Sequence, residues 1–218
     1  MNGHTHILGG LAAGAIAAPA LAFGHVPAFL IAAALAGPLA DIDHPGSMYG
    51  RWLPFPGVAK VNGHIEPYRG GYFGHDQHSY GHVGRTIPFV GVLWHRGATH
   101  SLVAAAVTTA LAFIAAFVAT VRGLTPSAGI LAAAIALGVL VGYLSHLVLD
   151  SLNIAGQELL WPFSHRRFKV GPLHIPVGSL GETMAVVALV GVLFITMPPL
   201  LPTLFSQHLF GGVAQWIP

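Results

Sequence analysis

The sequence predicts an all-α membrane protein, a bundle of about five transmembrane helices in a single domain. Of the 218 residues, 54% are hydrophobic and 7% are charged, and the mean hydropathy is +0.70. A soluble domain carries about 25% charged residues, so this chain lacks the polar groups that would cover a water-facing surface. The excess of basic over acidic residues, nine to seven, is too small to indicate a nucleic-acid-binding protein.

Five apolar segments account for the predicted helices: Ile7–Phe23, Val26–Ala40, Ser101–Val121, Ala128–Leu149 and Met184–Leu201. A helix needs about 20 residues to cross the hydrocarbon core of a bilayer. The third and fourth segments reach this length and the fifth nearly does. The first two are shorter, so they are either tilted spans or a re-entrant hairpin. Gly10 and Gly14 form a GxxxG pattern, which here favours close helix packing within the chain over dimerisation.

The distribution of basic residues predicts the orientation in the membrane. The loops at 41–100 and 151–183 lie on one side and together hold eight of the nine Lys and Arg residues, which leaves Arg122 on the other side. Positively charged loops stay in the cytoplasm. We therefore expect a multi-pass protein of a bacterial or archaeal cytoplasmic (inner) membrane, with the N-terminus and both basic loops inside.

Histidines and carboxylates gather at one end of the predicted bundle. His4 and His6 precede the first segment, and Asp41, Asp43 and His44 follow the second; His95, Arg96 and His100 precede the third, His146 and Asp150 end the fourth, and Glu182 precedes the fifth. All of these positions belong to the cytoplasmic ends of their segments. A single histidine at a helix end is commonly an interfacial anchor. So many ionisable groups at one depth are costly without a partner.

Metal binding is the chemistry that this set of residues favours. His146 and Asp150 are spaced i, i+4, so both project from one face of a helix. With no cysteine in the chain, imidazole and carboxylate ligands suit zinc first, with manganese or iron as alternatives. The inventory is large enough for two or three ions, and Asp41 or Asp43 could bridge two of them. Such sites activate water for hydrolysis, and one of these aspartates could act as the base.

Arg96 lies between His95 and His100, where two roles are open to it. Its planar guanidinium matches the geometry of a phosphoryl group and could stabilise charge that develops there. It could equally be an arginine anchored at the membrane surface. The first role, together with the candidate bases, predicts Asp41, Asp43 and Arg96 as catalytic residues.

Five motifs in this order, "GHTHILGG", "LADIDHPGS", "HRGATHSL", "GYLSHLVLD" and "GQELLWPFSHRRFKV", closely resemble the YdjM-like family. Its members are bacterial inner-membrane proteins regarded as LexA-binding, metal-dependent hydrolases. The resemblance implies metal ligands among His6, Asp41, Asp43, His44, His95, His100, His146 and Asp150. Glu182 matches a further Glu of the family, whereas His4 falls outside the matching block.

The H-x₃-D spacing of His146 and Asp150 is also similar to that of zinc-dependent phospholipase C and P1 nuclease, which implies phosphoester chemistry. We therefore expect a membrane-embedded hydrolase that cleaves a phosphoester of a lipid or lipid-linked substrate. One alternative is a regulatory membrane scaffold with a structural metal site that binds a soluble partner such as LexA. A metal transporter is the third reading, but the predicted spans offer no charge at mid-depth.

Three further segments have compositions of their own. Residues 60–85 are a Gly- and His-rich insertion that departs from the family, and we expect a polar loop over the site there, with a lid that orders on binding as the alternative. His75, His78 and His82 within it could bind another ion. Residues 202–218 are predicted to be an interfacial tail. Trp161–Lys169 combines aromatic and basic residues, which suits a surface of anionic lipid.

Overall fold

Helices dominate the computed structural model, which describes residues 1–21, 25–43, 47–50, 58–61, 64–67, 96–121, 128–153, 156–170 and 175–209. The α-helices are α1 (Gly3–Ala17), α2 (Val26–Ala36), α3 (Leu102–Val121), α4 (Ala128–Ser151), α5 (Leu180–Thr196) and α6 (Leu201–Leu209). A 3₁₀ segment, Gly37–Asp43, continues α2, and a 3₁₀ turn, Ala98–His100, precedes α3. Two short antiparallel strands, β1 (Val58–Val61) and β2 (His64–Pro67), form a hairpin.

Four helical stretches within the described ranges are long and apolar enough to cross a membrane: Val26–Asp43, Leu102–Ala119, Gly129–Ser151 and Leu180–Phe205. They confirm the predicted all-α membrane fold. α1 has 15 residues and is therefore about 22 Å long, shorter than the roughly 30 Å hydrocarbon core. It packs against α2, α4 and α5.

Small residues allow α1, α2 and α4 to approach one another closely. A side chain at Gly10 of α1 or at Gly142 of α4 would collide with the backbone carbonyl of Ala33 in α2. Only glycine leaves the room for these two helices to touch α2 at that point. The prediction that Gly10 packs within the chain is confirmed. This close packing fixes α1, α2 and α4 relative to one another, and these three helices carry most of the histidines and aspartates predicted to bind metal.

The helices differ in how much of their surface other helices cover. About half of the spans formed by α2 and α4 is buried inside the protein, against 6% for those formed by α3 and α5. The outer face of α3 carries exposed apolar side chains, including the stacked rings of Phe113 and Phe117. α2 and α4 therefore form the centre of the bundle, and α3 and α5 present apolar faces to lipid.

Some element boundaries differ from the predicted ones. α1 begins at Gly3, so His4 and His6 lie within the helix rather than before it. α5 begins at Leu180, because the Ser179 side chain accepts a hydrogen bond from the Glu182 amide and caps the helix. The paired strands β1 and β2 overlap the start of the predicted insertion at 60–85; its residues 62–63 and 68–85, including His75, His78 and His82, lie outside the described residues. The predicted tail begins with α6, and 210–218 also lie outside.

Candidate metal centre

Four elements bring histidine and carboxylate side chains together at one end of the bundle. The first turns of α1 contribute His6, the 3₁₀ continuation of α2 contributes Asp41 and Asp43, the turn before α3 contributes His100, and the last turns of α4 contribute His146 and Asp150. Each of these residues is buried. The predicted convergence of separate segments on one layer is therefore observed for these six residues.

Asp41, His100, His146 and Asp150 form a compact group, called the four-ligand group below. Each offers a ligand atom, and these atoms all lie within 4.8 Å of one another. Nε2 of His100 lies 3.2 Å from Nε2 of His146 and 3.3 Å from Oδ1 of Asp41. Nε2 of His146 lies 3.6 Å from the same Asp41 oxygen. Oδ2 of Asp150 lies 3.6 and 3.8 Å from the two imidazole nitrogens.

These separations suit a metal ion at the centre of the group. Zinc binds imidazole nitrogen and carboxylate oxygen at about 2.0–2.2 Å in tetrahedral geometry, which puts neighbouring ligand atoms about 3.3–3.6 Å apart. The measured distances of 3.2–3.8 Å are close to those edges. The four residues therefore fit the metal that the sequence predicts.

Each imidazole of the four-ligand group is oriented by a contact on its far side. Nδ1 of His146 donates to the carbonyl of Gly37, 2.7 Å away, which leaves a lone pair on Nε2. Nδ1 of His100 lies 3.1 Å from the Thr99 hydroxyl and 3.7 Å from Oδ2 of Asp43. Contacts of this kind fix the ring orientation of metal-binding histidines. Burial acts to lower the pKa of His100, but the nearby carboxylates outweigh it and raise that pKa.

Asp43 thus lies behind His100 rather than within the four-ligand group. Its Oδ2 accepts a hydrogen bond from the Thr99 hydroxyl, and its side chain is fully buried. The sequence analysis predicted the same roles, metal ligand and base, for Asp41 and Asp43. The 3₁₀ geometry separates them, because residues two apart in a 3₁₀ helix point in different directions.

His6 lies against the opposite side of the two central carboxylates. Its Nε2 is 3.4 Å from Oδ1 of Asp150 and 3.9 Å from Oδ2 of Asp41, while the other oxygen of each carboxylate faces the four-ligand group. The ring stacks on His146 with centroids 3.8 Å apart. Neither ring nitrogen has a hydrogen bond to a described residue although both are buried. Asp41 and Asp150 can therefore bridge the four-ligand group and a second position beside His6.

Arg96 also points into the site. It is a non-glycine residue with φ of +67°, a conformation that costs roughly 1–2 kcal/mol. Its side chain is 6% exposed, and Nη2 lies 3.3 Å from Oδ2 of Asp150. Nε and Nη1 have no hydrogen-bond partner among the described residues. The burial favours a role in the site over that of an anchor at the membrane surface.

Glu182 lies outside the four-ligand group. Its carboxylate accepts hydrogen bonds from the amides of Asn2 and Gly178 and from the Thr5 hydroxyl. It therefore connects the start of α1 to the start of α5 and helps to position His6.

The sequence analysis missed three partners of the site residues: Thr5, Thr99 and the Gly37 carbonyl. No local pattern marks them, because they come from distant parts of the chain.

The segment 156–170 packs beside the site, against the turn that precedes α3 and the last turns of α4. The amide of Glu158 donates to the Arg96 carbonyl, and the amide of Leu102 donates to the Leu159 carbonyl. Gln157 is fully buried and its side chain donates to the Leu147 carbonyl. Beyond these contacts Phe163 is 87% exposed, next to the exposed basic residues Arg166 and Arg167.

Of the three remaining histidines of the predicted layer, the described residues include one, His4. His4 is exposed on α1, away from the buried group. His44 and His95 lie outside the described residues. The prediction that they are ligands therefore stays a prediction.

Comparison with known proteins identifies relatives of this chain. The family model described as YdjM inner membrane protein matches residues 1–214. The inner membrane proteins YdjM of Escherichia coli (strain K12) and of Shigella flexneri are each 30% identical over 138 residues, which is 63% of this chain and 50% of theirs. The chain thus spans about half the length of these two curated relatives.

A third relative covers more of the chain. The uncharacterized protein YvsG of Bacillus subtilis (strain 168) is 30% identical over 190 residues, 87% of this chain and 89% of its own. No solved structure matches the chain. The match of the family model over nearly the whole length, together with these relatives, shows that the chain belongs to the YdjM family of inner membrane proteins.

Proposed function

We propose that this inner membrane protein is a metal-dependent hydrolase that cleaves a phosphoester of a lipid or lipid-linked substrate at the membrane surface. The observation that carries the proposal is the four-ligand group, whose nitrogen and oxygen atoms are spaced like the corners of a metal coordination sphere. The group is buried at the end of the bundle where the loops meet the membrane surface.

The proposal includes two ions, because the donors around the four-ligand group are numerous enough for a second one. His100, His146 and one oxygen each of Asp41 and Asp150 would hold the first ion. His6 and the other oxygens of the two aspartates would hold the second. Four protein ligands make a closed site, whereas three leave a position open for water or substrate. The His6 side, where the Met1 amino group also lies 3.1 Å from Oδ1 of Asp150, would provide the open position that hydrolysis requires.

Bound at these positions, the ions would activate water and stabilise negative charge on the reacting oxygens. The residues of the chain have separate tasks. Asp41 has the most exposed side chain of the three acids, 12% against 0 and 1% for Asp43 and Asp150, so water would reach the site on its side. It can accept a proton from that water only with an oxygen that no ion holds. The unpartnered nitrogens of Arg96 can donate to a phosphoryl oxygen.

The setting of the site supports a lipid as the substrate. The apolar faces of α3 and α5 put this end of the bundle at the level of lipid headgroups. The segment 156–170, which packs beside the site, carries the exposed residues Phe163, Arg166 and Arg167. Basic residues near an anionic membrane contribute about 1 kcal/mol each. The excess of basic residues in the same loops supports a site that faces the cytoplasm.

The test begins with the metal content of the protein purified in detergent without chelator. Inductively coupled plasma mass spectrometry would count zinc, manganese and iron per chain in the wild type, in His146→Ala with Asp150→Ala, and in the exposed control His4→Ala. We expect about two equivalents in the wild type and in the control, and a loss of both in the double variant. No bound metal, and none regained on addition of zinc or manganese, would overturn the proposal.

The activity is then tested on phosphatidic acid and phosphatidylglycerol in mixed micelles, with the products separated by mass spectrometry. Hydrolysis that needs the metal and is lost in the double variant supports the proposal. One tightly held ion per chain with no hydrolysis of either lipid would contradict it and favour the alternative, a scaffold with a structural metal site.

A further inference from the structure

Tyr143 is a buried polar residue of α4 that has no part in the proposed chemistry. It is 2% exposed. It lies three residues before His146 and seven before Asp150, so the three side chains project from one face of the helix. The ring packs in a small apolar cluster with Ala40, Ala105 and Leu147. Phenylalanine would serve this packing equally well, so the buried hydroxyl needs an explanation of its own.

The Tyr143 hydroxyl donates a hydrogen bond to the backbone carbonyl of Thr99. Thr99 is the middle residue of the 3₁₀ turn that precedes α3, and His100 is its last residue. The contact therefore joins α4 to the turn that carries His100. A 3₁₀ turn of three residues has few hydrogen bonds of its own, so its position in the protein depends on contacts with other elements.

Other hydrogen bonds of this turn have different directions. The His100 amide donates to the Gly97 carbonyl, which shapes the turn from within. The Thr99 hydroxyl donates to Asp43, which connects the turn to the 3₁₀ continuation of α2. The Tyr143 contact differs from both, because it fixes the turn against the helix that provides the other histidine and the aspartate of the four-ligand group.

We propose that Tyr143 is a positioning residue, which holds His100 opposite His146 so that the two Nε2 atoms can share one ion. The carbonyl of Thr99 accepts the bond from Tyr143, while its hydroxyl lies 3.1 Å from Nδ1 of His100 and donates to Asp43. A shift of the Thr99 backbone would therefore move the His100 ring together with its partner. The inference rests on the proposed function, since it takes the four-ligand group as a metal site.

Tyr143→Phe tests the proposal, because it removes one oxygen and keeps the ring that packs in the apolar cluster. Tyr49→Phe is the matched control, since the Tyr49 hydroxyl also donates to a backbone carbonyl, that of Leu35. Ser145→Ala is a control on α4 itself, where it removes a hydroxyl that donates to the Gly142 carbonyl. Gel filtration and the melting temperature in detergent show that each variant is folded.

The first measurement is the zinc dissociation constant, by competition with a chromophoric chelator. We expect Tyr143→Phe to weaken zinc binding about tenfold, at the lower end of the effect of contacts that orient a metal-binding histidine. Tyr49→Phe and Ser145→Ala should leave it unchanged. In the His100→Ala background Tyr143→Phe should have no further effect, because it acts through His100. Equal effects in the controls, or an undiminished effect in the His100→Ala background, would overturn the inference.

The second measurement does not depend on metal. In metal-free protein with isotopically labelled histidine, nuclear magnetic resonance reports the tautomer and the hydrogen bonds of each imidazole ring, and His100→Ala assigns the signals of His100. Tyr143→Phe should shift the ring nitrogens of His100 and leave unchanged those of His165, which is exposed on the segment 156–170. Unshifted His100 signals in Tyr143→Phe would overturn the inference.

The two proposals fail in different ways. A wild type that binds no zinc would remove the proposed function, and the shift of the His100 signals would still decide the role of Tyr143. Equal zinc binding by wild type and Tyr143→Phe, with unshifted His100 signals, would keep the metal centre and remove the positioning role.

Discussion

The Nε2 atoms of His100 and His146 face each other at 3.2 Å, and neither side chain is exposed. Nδ1 of His146 donates to the Gly37 carbonyl, so its Nε2 carries a lone pair. The carboxylate of Asp43 near Nδ1 of His100 favours the same tautomer there. Two lone pairs at this distance repel, so either a proton on one Nε2, shared in an N–H···N hydrogen bond, or a metal ion must lie between them. The pair of histidines is therefore arranged for a shared cation, and Asp41 and Asp150 supply the compensating negative charge.

Removal of one histidine at a time should distinguish the two proposed ions. His6→Ala should lower the metal content from about two equivalents to about one, since His6 contacts only the outer oxygens of the two aspartates. His100→Ala should instead reduce the occupancy of the four-ligand group. The measurement is metal per chain by inductively coupled plasma mass spectrometry. Equal metal content in His6→Ala and in the exposed control His4→Ala would contradict the two-ion arrangement.

Asp43→Asn should weaken metal binding without abolishing it. Asp43 is buried beside Nδ1 of His100 but lies outside the four-ligand group. Loss of such an orienting carboxylate typically costs 10–100-fold in metal affinity. Competition with a chromophoric chelator would measure the zinc dissociation constant. Thr99→Val, which removes only the hydroxyl that donates to Asp43, should have a smaller effect. A complete loss of metal in Asp43→Asn would mean that Asp43 is itself a ligand.

Metal removal should destabilise the folded protein. Three carboxylates are buried around the site. Arg96 and the Met1 amino group lie beside Asp150, and a metal ion would add positive charge close to the other acids, whose burial is otherwise costly. Metal at a free concentration a hundredfold above the dissociation constant stabilises the folded state by about 2.7 kcal/mol. The melting temperature in detergent should therefore fall on addition of a chelator and recover with zinc. The melting temperature of His146→Ala with Asp150→Ala should not respond to either addition, and a response equal to that of wild type would contradict the assignment.

Much of the fold and part of this site could be predicted from the sequence. The i, i+4 spacing of His146 and Asp150 is a local property, and the shared end of the helices follows from the alternation of apolar segments and loops. The different positions of Asp41, in the four-ligand group, and Asp43, behind His100, could not be predicted. They depend on the 3₁₀ turn and on Thr99, which is distant in sequence. The bounds of α1 were missed since the polar residues of its first turns are stabilised by contacts with distant parts of the chain, Thr5 with Glu182 of α5 and His6 with Asp150 of α4.

Arg96 should matter for turnover and not for metal binding. Arg96→Lys keeps the positive charge but loses the planar guanidinium. Arg96→Gly loses both the charge and the guanidinium, and it removes the strain of the left-handed backbone. We expect metal content to stay at the wild-type value in both variants and kcat for the phosphoester to fall by about 10²–10³ in Arg96→Gly, with a smaller fall in Arg96→Lys. Unchanged kcat in Arg96→Gly would show that the guanidinium does not act on the substrate.

Glu182 should control the occupancy of the His6 side from a distance. Its carboxylate accepts hydrogen bonds from the Asn2 amide and the Thr5 hydroxyl, and hydrogen bonds to a charged group are worth about 1.5–3 kcal/mol each. In Glu182→Ala the start of α1 loses this attachment, so His6 is no longer held against Asp150. We therefore expect the chain to retain one equivalent of metal through gel filtration and to lose the second. Ser179→Ala removes the cap of α5 but leaves the carboxylate in place, and it should retain both. If Glu182→Ala instead loses both ions while Ser179→Ala keeps them, Glu182 supports the whole centre rather than α1 alone.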